Sequence, residues 1–323
     1  MSTATPATAR AARPTLRGHI QIMRIDHWVK NVFVLPGIVV ALEELPSDLR
    51  PDWWWPVLIG LFSVCLVASS NYTINEVLDA PFDRLHPTKH LRPVPSGQVN
   101  IPLAYLQWIL VFAAGMAAAL LVSTPFALSM AALWVMGCVY NIPPIRSKDL
   151  PYLDVLSEAI NNPLRMLAGW YMITSRLAPP GSLLMSYWMA GCYFMAIKRF
   201  AEYRNIGNRD ASAAYRKSFA YYDEKRLLIS IMFYAAHAML FFGAFVVRYR
   251  MELILSFPLV AWVMCQYLAI GFKPDGGAER PEHLYKERGL MASVVTCAAA
   301  LILLMFVRLP EVTNLFNPLT RPH

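Results

Sequence analysis

The sequence predicts an all-α integral membrane protein, with nine transmembrane helices bundled around a polar cavity open to the cytoplasmic side. Three observations predict it. Of the 323 residues, 57% are hydrophobic and only 15% charged, against about 25% charged in a typical soluble domain. Mean hydropathy is +0.40, and apolar runs long enough to cross a bilayer recur along the chain. The basic residues, finally, concentrate in alternate loops.

The first run, about 29–45, is short and contains Pro36; Trp28 at its start suits an interfacial anchor. Runs at 54–74, 101–122 and 125–142 follow. The fifth, 152–174, carries Asp154, Glu158, Asn161, Asn162 and Arg165. Lipid penalises such groups, so they are expected to face the bundle interior or a water-filled cavity. Runs at 181–198, 227–247, 251–272 and 289–309 complete the nine. With the N-terminus inside, 22 of the 29 Lys and Arg fall on the inner side, as the positive-inside rule requires. Asp79 and Asp83 then lie on the cytoplasmic face of a multi-pass protein of the plasma (inner) membrane. The net charge of +8 reads as loop bias at an anionic membrane surface, not as nucleic-acid binding.

Residues 1–18 are expected to form a disordered basic tail, 19–310 a single membrane catalytic domain, and 311–323 a C-terminal tail. No apolar core follows the first basic residues, so the tail is not a signal peptide. Cys65, Cys138, Cys192, Cys265 and Cys297 lie in apolar spans without paired spacing, which reads as inert core thiols.

The chemistry concentrates at the end of the second run. Asn75, Asp79 and Asp83 are spaced i, i+4, i+8, which stacks three oxygen-bearing side chains on one helix face. Oxygen ligands suit a hard cation such as Mg²⁺, which brings a phosphate with it. Lys89 and Arg92, with His86 and His90 between the acids and Arg92, suit that phosphate's remaining charge. Asn75, Asp79 and Asp83 are therefore the candidate metal ligands of a diphosphate site.

Three further segments are more polar than solubility needs. After the sixth run come Lys198, Arg199, Glu202, Arg204, Arg209, Arg216 and Lys217; Lys198 and Glu202, at i and i+4, share a helix face. Between the fourth and fifth runs lie Tyr140, Arg146 and Lys148, followed by the stripe Asp154, Glu158, Asn161 and Arg165 at spacings of four, three and four. At the start of the first run, Lys30 and Asn31 are placed to snorkel or to meet a lipid phosphate.

These motifs, in this order, resemble the UbiA-type intramembrane prenyltransferase superfamily over about residues 20–310. The resemblance rests on the Asn-x-x-x-Asp-x-x-x-Asp motif after the second helix and the tyrosine and lysine after the fourth. A fifth helix containing Asp-Val and Asn-x-x-Leu-Arg-x-x-x-Gly and a second polar motif after the sixth complete it. It implies a nine-helix fold, Mg²⁺ as cofactor, a membrane-lipid substrate and a transferase reaction. Aromatic-prenylating members carry a second aspartate-rich motif where this chain has Lys198 and Glu202.

That departure is similar to a phosphoribose-transferring branch serving cell-wall arabinan synthesis, with phosphoribosyl diphosphate as donor and polyprenyl (decaprenyl) phosphate as acceptor. The resemblance then implies Asp79, Asp83 and Lys89 as catalytic, with Asn75 completing the metal set and Glu202 a further candidate for it. It implies Arg92, Lys198 and Arg199 on phosphates, Tyr140 and Lys148 positioning the donor, and Arg165, Lys30 and Asn31 on the lipid phosphate. The acceptor is already an anion, so no strong base is required. Prenyl transfer to an aromatic acceptor is the alternative. A CDP-alcohol phosphotransferase is excluded because the only Asp-Gly, Asp275-Gly276, lacks the following Ala-Arg. A transporter would show paired halves, which the chain lacks. The pattern is compatible with a homo-oligomer without specifying one.

Overall fold

The structure, a computed structural model, describes residues 13–45, 51–84, 89–274, 277–278 and 281–316. All regular structure among them is helical: α1 (Leu16–Gln21), α2 (Leu35–Glu44), α3 (Trp54–Asp83), α4 (Ile101–Val122), α5 (Thr124–Asn141), α6 (Leu153–Ala159), α7 (Asn161–Ile173), α8 (Gly181–Ile206), α9 (Arg209–Tyr215), α10 (Glu224–Tyr249), α11 (Phe257–Gly271), α12 (Arg288–Phe306) and α13 (Pro310–Phe316), with short 3-10 turns between. Six segments are long and apolar enough to cross a membrane: Leu16–Glu44, Trp54–Asp83, Ile101–Val122, Glu224–Tyr249, Met251–Gly271 and Arg288–Phe306. The other three expected spans are helical as well, as α5, the α6–α7 pair and α8. The fifth run is not one helix: it pauses at Ile160, between α6 and α7. The tail expected over 1–18 is already helical from Leu16, and its residues 1–12 lie outside the described set, as do 317–323. None of the five cysteines forms a disulfide among the described residues.

Contacts divide the chain into two units, 13–32 with 54–145, and 33–53 with 146–316, among the described residues. The first is built on α3. Small hydroxyls on α3 accept and donate between helices: Ser63 Oγ donates to Gly115 O at 2.8 Å, Ser70 Oγ to Trp108 O at 2.8 Å, and the Trp28 indole N–H to Ser69 Oγ at 2.9 Å. Asn71 donates to Leu133 O at 3.0 Å. Helices carrying small polar residues pack closely and exchange hydrogen bonds where water is scarce. Ser123 closes α4 and caps α5, donating to Ala119 O at 3.3 Å and accepting from the Phe126 N–H at 3.3 Å. With Pro125 in the first turn of α5, the two helices reverse over one residue.

In the second unit α2 crosses α7 at two glycines. A Cβ on Gly37 would stand 1.9 Å from Met166 O, and one on Gly169 would stand 2.0 Å from Val34 O. Backbone meets backbone there, and no other residue fits. α8 packs along α10 through Tyr193, Ile197, Phe200, Leu227, Ile231 and Tyr234, all buried.

Candidate active site

α3 has 30 residues, roughly 45 Å at 1.5 Å per residue. That exceeds a hydrocarbon core of about 30 Å, and its polar residues gather in the last turns. Asn75, Asp79 and Asp83 occupy those turns. Asn75 Nδ2 donates to Asn141 Oδ1 at 2.5 Å and to Asp79 Oδ2 at 3.4 Å, which leaves the carbonyl oxygen as the atom that could meet a cation. Asn141 is buried at the end of α5 and donates in turn to Gly137 O at 2.9 Å. It was not singled out from the sequence, although it stands next to Tyr140. Asp83 is buried and accepts from Arg92 Nη1 at 2.5 Å.

Arg92 reaches Asp83 because the loop after α3 folds back. A 3-10 turn at Lys89–Leu91 leads to Pro93, whose carbonyl accepts from the Gln98 N–H at 2.9 Å. Gly97 sits at φ 81°, which glycine tolerates. Glu76, 1% exposed, accepts from the Val94 N–H at 3.2 Å and pairs with Arg24 at 3.6 Å. Glu76 and Arg24 were both missed by sequence reasoning. Glu76 sits one position off the ladder and therefore on another face of α3; a carboxylate at the end of an apolar run was the available signal. His86 lies outside the described residues. Lys89 is half-buried in its turn, Lys30 Nζ lies 3.3 Å from His27 Nδ1, and the buried Asn31 amide donates to Cys65 Sγ at 3.2 Å.

Asn75, Asp79 and Asp83 suit Mg²⁺ shared with a substrate. In phosphate sites that ion is held by one or two carboxylates, waters and substrate oxygens. Among the described residues no three or more His, Cys, Asp or Glu groups are arranged to hold a metal by themselves.

In the second unit the expected residues gather around Arg199, which is 1% exposed. Its Nε donates to Asp154 at 3.3 Å, its Nη1 to Glu202 at 3.0 Å and its Nη2 to Glu158 at 2.5 Å. Glu202 thus pairs with Arg199 at i−3, where the sequence spacing pointed to Lys198. Asp154, fully buried, also accepts from Arg216 at 3.4 Å, Ser218 at 3.1 Å and Tyr222 Oη at 2.7 Å. Burial and then the Asp154 charge push the Tyr222 hydroxyl well above its usual range, so it remains a donor. Partners 45 to 68 residues apart leave no periodic trace in sequence. Lys148 is buried in the turn Ser147–Asp149, Lys198 is half-buried, and Arg165 donates to Asn161 O at 3.3 Å.

Burial alone would raise the Glu202 carboxyl, but the Arg199, Lys198 and Arg216 charges and the Arg199 hydrogen bond hold it below its ordinary 4.5. A depressed carboxylate stabilises the fold at neutral pH and loses that contribution as pH falls below its ordinary value and through the lower folded one. Acid unfolding followed in detergent should therefore show a smaller loss of stability below pH 4.5 in Glu202→Gln than in the parent. An unchanged acid limb would mean that the pair is not formed.

The family model described as the UbiA prenyltransferase family matches residues 32–285. The chain is 29% identical over 228 residues to decaprenyl-phosphate phosphoribosyltransferase of Mycolicibacterium smegmatis, covering 70% of this chain and 69% of that one. It is 30% identical over 208 residues to the protein of the same name from Mycobacterium tuberculosis, covering 64% and 66%. A UbiA homolog from Archaeoglobus fulgidus, solved bound to DMAPP and Mg²⁺, shares the fold with a TM-score of 0.67 at 20% identity, over 93% of this chain and 100% of that one.

Proposed function

From a chain that belongs to the UbiA prenyltransferase family, and is thereby a multi-pass membrane transferase, we propose a specific reaction. Phosphoribosyl diphosphate is the donor, a polyprenyl (decaprenyl) phosphate the acceptor, and diphosphate the leaving group. The 5-phosphoribosyl unit moves to the acceptor phosphate, giving a lipid-linked precursor for cell-wall arabinan. We read the six long apolar helices, with α5, the α6–α7 pair and α8, as nine crossings of the plasma membrane. Residues 19–310 form the catalytic domain, with its polar cavity open to the cytoplasmic side.

One observation carries the choice of donor: Asp154, Glu158 and Glu202 are all bound to Arg199. One buried guanidinium thus engages all three acidic groups near the second motif. Half-buried Lys198 and Arg216 add further positive charge. A second metal on a prenyl diphosphate needs carboxylates there, whereas an additional phosphate needs cations. The curated relatives named decaprenyl-phosphate phosphoribosyltransferase support the same donor.

Asn75, Asp79 and Asp83 would hold Mg²⁺, which when bound neutralises the charge that builds on the departing diphosphate. Lys89 and Arg92 bind phosphate oxygens by charge-assisted hydrogen bonds. Lys198 contacts the 5-phosphate, while Arg199, enclosed by carboxylates, holds the second motif in shape. Tyr140 and Lys148 position the donor. The acceptor phosphate attacks C1 opposite the diphosphate, with inversion, through an oxocarbenium-like transition state. Preorganised charge, and no general base, accelerates the step.

Donor binding tests the choice. Titrated in detergent with Mg²⁺, phosphoribosyl diphosphate should bind more tightly than geranyl diphosphate, and Lys198→Asp should weaken it by about tenfold, roughly 1.4 kcal/mol. Tighter binding of the prenyl diphosphate, unaffected or improved by Lys198→Asp, would favour prenyl transfer to an aromatic acceptor.

A further inference from the structure

Two cavities of the first unit adjoin at Ile20, which lines both. One, of about 520 Å³, is lined by Arg24, His27, Glu76, Arg92 and Ile20 among others. Each of its arginines is anchored by a buried carboxylate, Arg24 by Glu76 at 3.6 Å and Arg92 by Asp83 at 2.5 Å. A guanidinium presents five N–H donors in a planar fork, so one carboxylate contact leaves donors for a second anion. Arg24 is also held at φ 49°, a left-handed conformation that side-chain-bearing residues seldom adopt. Such conformations persist where the surroundings over-determine them, and they cluster at ligand sites. Asp26, on the rim, is largely exposed and lies 3.5 Å from His27.

The second cavity, about 690 Å³, lies between α1 and α4 and is walled by Leu16, Ile20, Leu103, Leu106 and Leu110. The polar groups beside it satisfy one another. The Asn100 N–H donates to His19 Nε2 at 3.2 Å, so the proton sits on Nδ1, which donates to Gln107 Oε1 at 2.9 Å. Gln107 Nε2 donates in turn to His19 O at 2.8 Å. What remains for a ligand is an apolar groove. Leu103, Leu106 and Leu110 stand on one face of α4, each about half exposed. Ile20 borders both cavities.

An anion alone would need only the first cavity, and a hydrocarbon only the second. Their meeting at Ile20 suits a molecule that is both. We propose that the pair is the seat of the acceptor lipid, with the phosphate monoester on Arg24 and Arg92 and the isoprenoid chain in the groove along α4. This rests on the polyprenyl-phosphate reading above, and it moves the acceptor phosphate from Lys30, Asn31 and Arg165 to Arg24. Arg92 belongs to the cavity and also pairs with Asp83, so a phosphate held there is one guanidinium away from the carboxylate ladder.

The test uses the full chain in detergent, with binding of decaprenyl phosphate and of decaprenol followed by native mass spectrometry. A decaprenyl phosphate bearing a diazirine on its chain supplies cross-links. Leu106→Trp, at a side chain outside the core, is expected to weaken both lipids about tenfold. Arg24→Gln is expected to weaken only the phosphate about tenfold, each about 1.4 kcal/mol. Cross-links are expected on residues 103–111. If Arg24→Gln fails to fold because Glu76 is left buried and unpaired, Leu106→Trp and the cross-links decide. Decaprenyl phosphate that binds the parent but cross-links elsewhere, with Leu106→Trp indifferent, overturns this seat and leaves the reaction standing. A parent that binds no decaprenyl phosphate overturns both.

Discussion

Asp83→Ala should lower transfer about a thousandfold, near 4 kcal/mol of transition-state stabilisation, while the protein stays folded. The asymmetry comes from the surroundings of the side chain. Asp83 is buried, but its partner Arg92 is 27% exposed, so removing the carboxylate returns Arg92 to water and leaves no charge stranded. The fold then loses about 1 kcal/mol, within the range of a half-exposed ion pair. The reaction loses one of two carboxylates able to hold the cation against the diphosphate. Initial rates and an apparent unfolding temperature measured on one preparation separate the two effects. A rate within tenfold of the parent would remove Asp83 from the metal site.

Arg199→Met should act the other way, on the fold before the chemistry. It leaves Asp154, Glu158 and Glu202 around an apolar side chain, with Asp154 fully buried. Breaking a buried ion pair from one side typically costs about 3–5 kcal/mol, because the remaining charge has no solvent. Arg216, Ser218 and Tyr222 still donate to Asp154, which keeps the loss from being larger. Removing Asp154 as well, in Arg199→Met with Asp154→Leu, should restore part of the stability, since both ends of the most deeply buried pair are then apolar. Thermal unfolding in detergent measures both variants. An unfolding temperature unchanged in the single variant would mean that Arg199 is not enclosed, and would return it to the list of substrate contacts.

Much of this was legible in the sequence. The helices follow from apolar runs, and the i, i+4, i+8 ladder emerges at the end of α3 as its spacing requires. Spacing along one helix was weaker at the second motif. Lys198 and Glu202 do share a face, but the tighter partner of Glu202 is Arg199, at i−3, because Asp154 and Glu158 draw that guanidinium inward. Glu76 and Arg24 stayed hidden for a related reason. Their pairing joins the end of α3 to a turn some 50 residues earlier, and only a folded chain brings such groups together. The break at Ile160 did have a local signal, the Asn161-Asn162-Pro163 that follows it, but reading 152–174 as one span by length passed over it.

The most direct measurement incubates the purified chain with Mg²⁺, decaprenyl phosphate and phosphoribosyl diphosphate labelled in the ribose, and follows label into the lipid fraction. The account predicts transfer that EDTA abolishes and that Asp83→Ala reduces about a thousandfold. Absence of ribose transfer, together with label passing from a prenyl diphosphate to an aromatic acceptor, would contradict it.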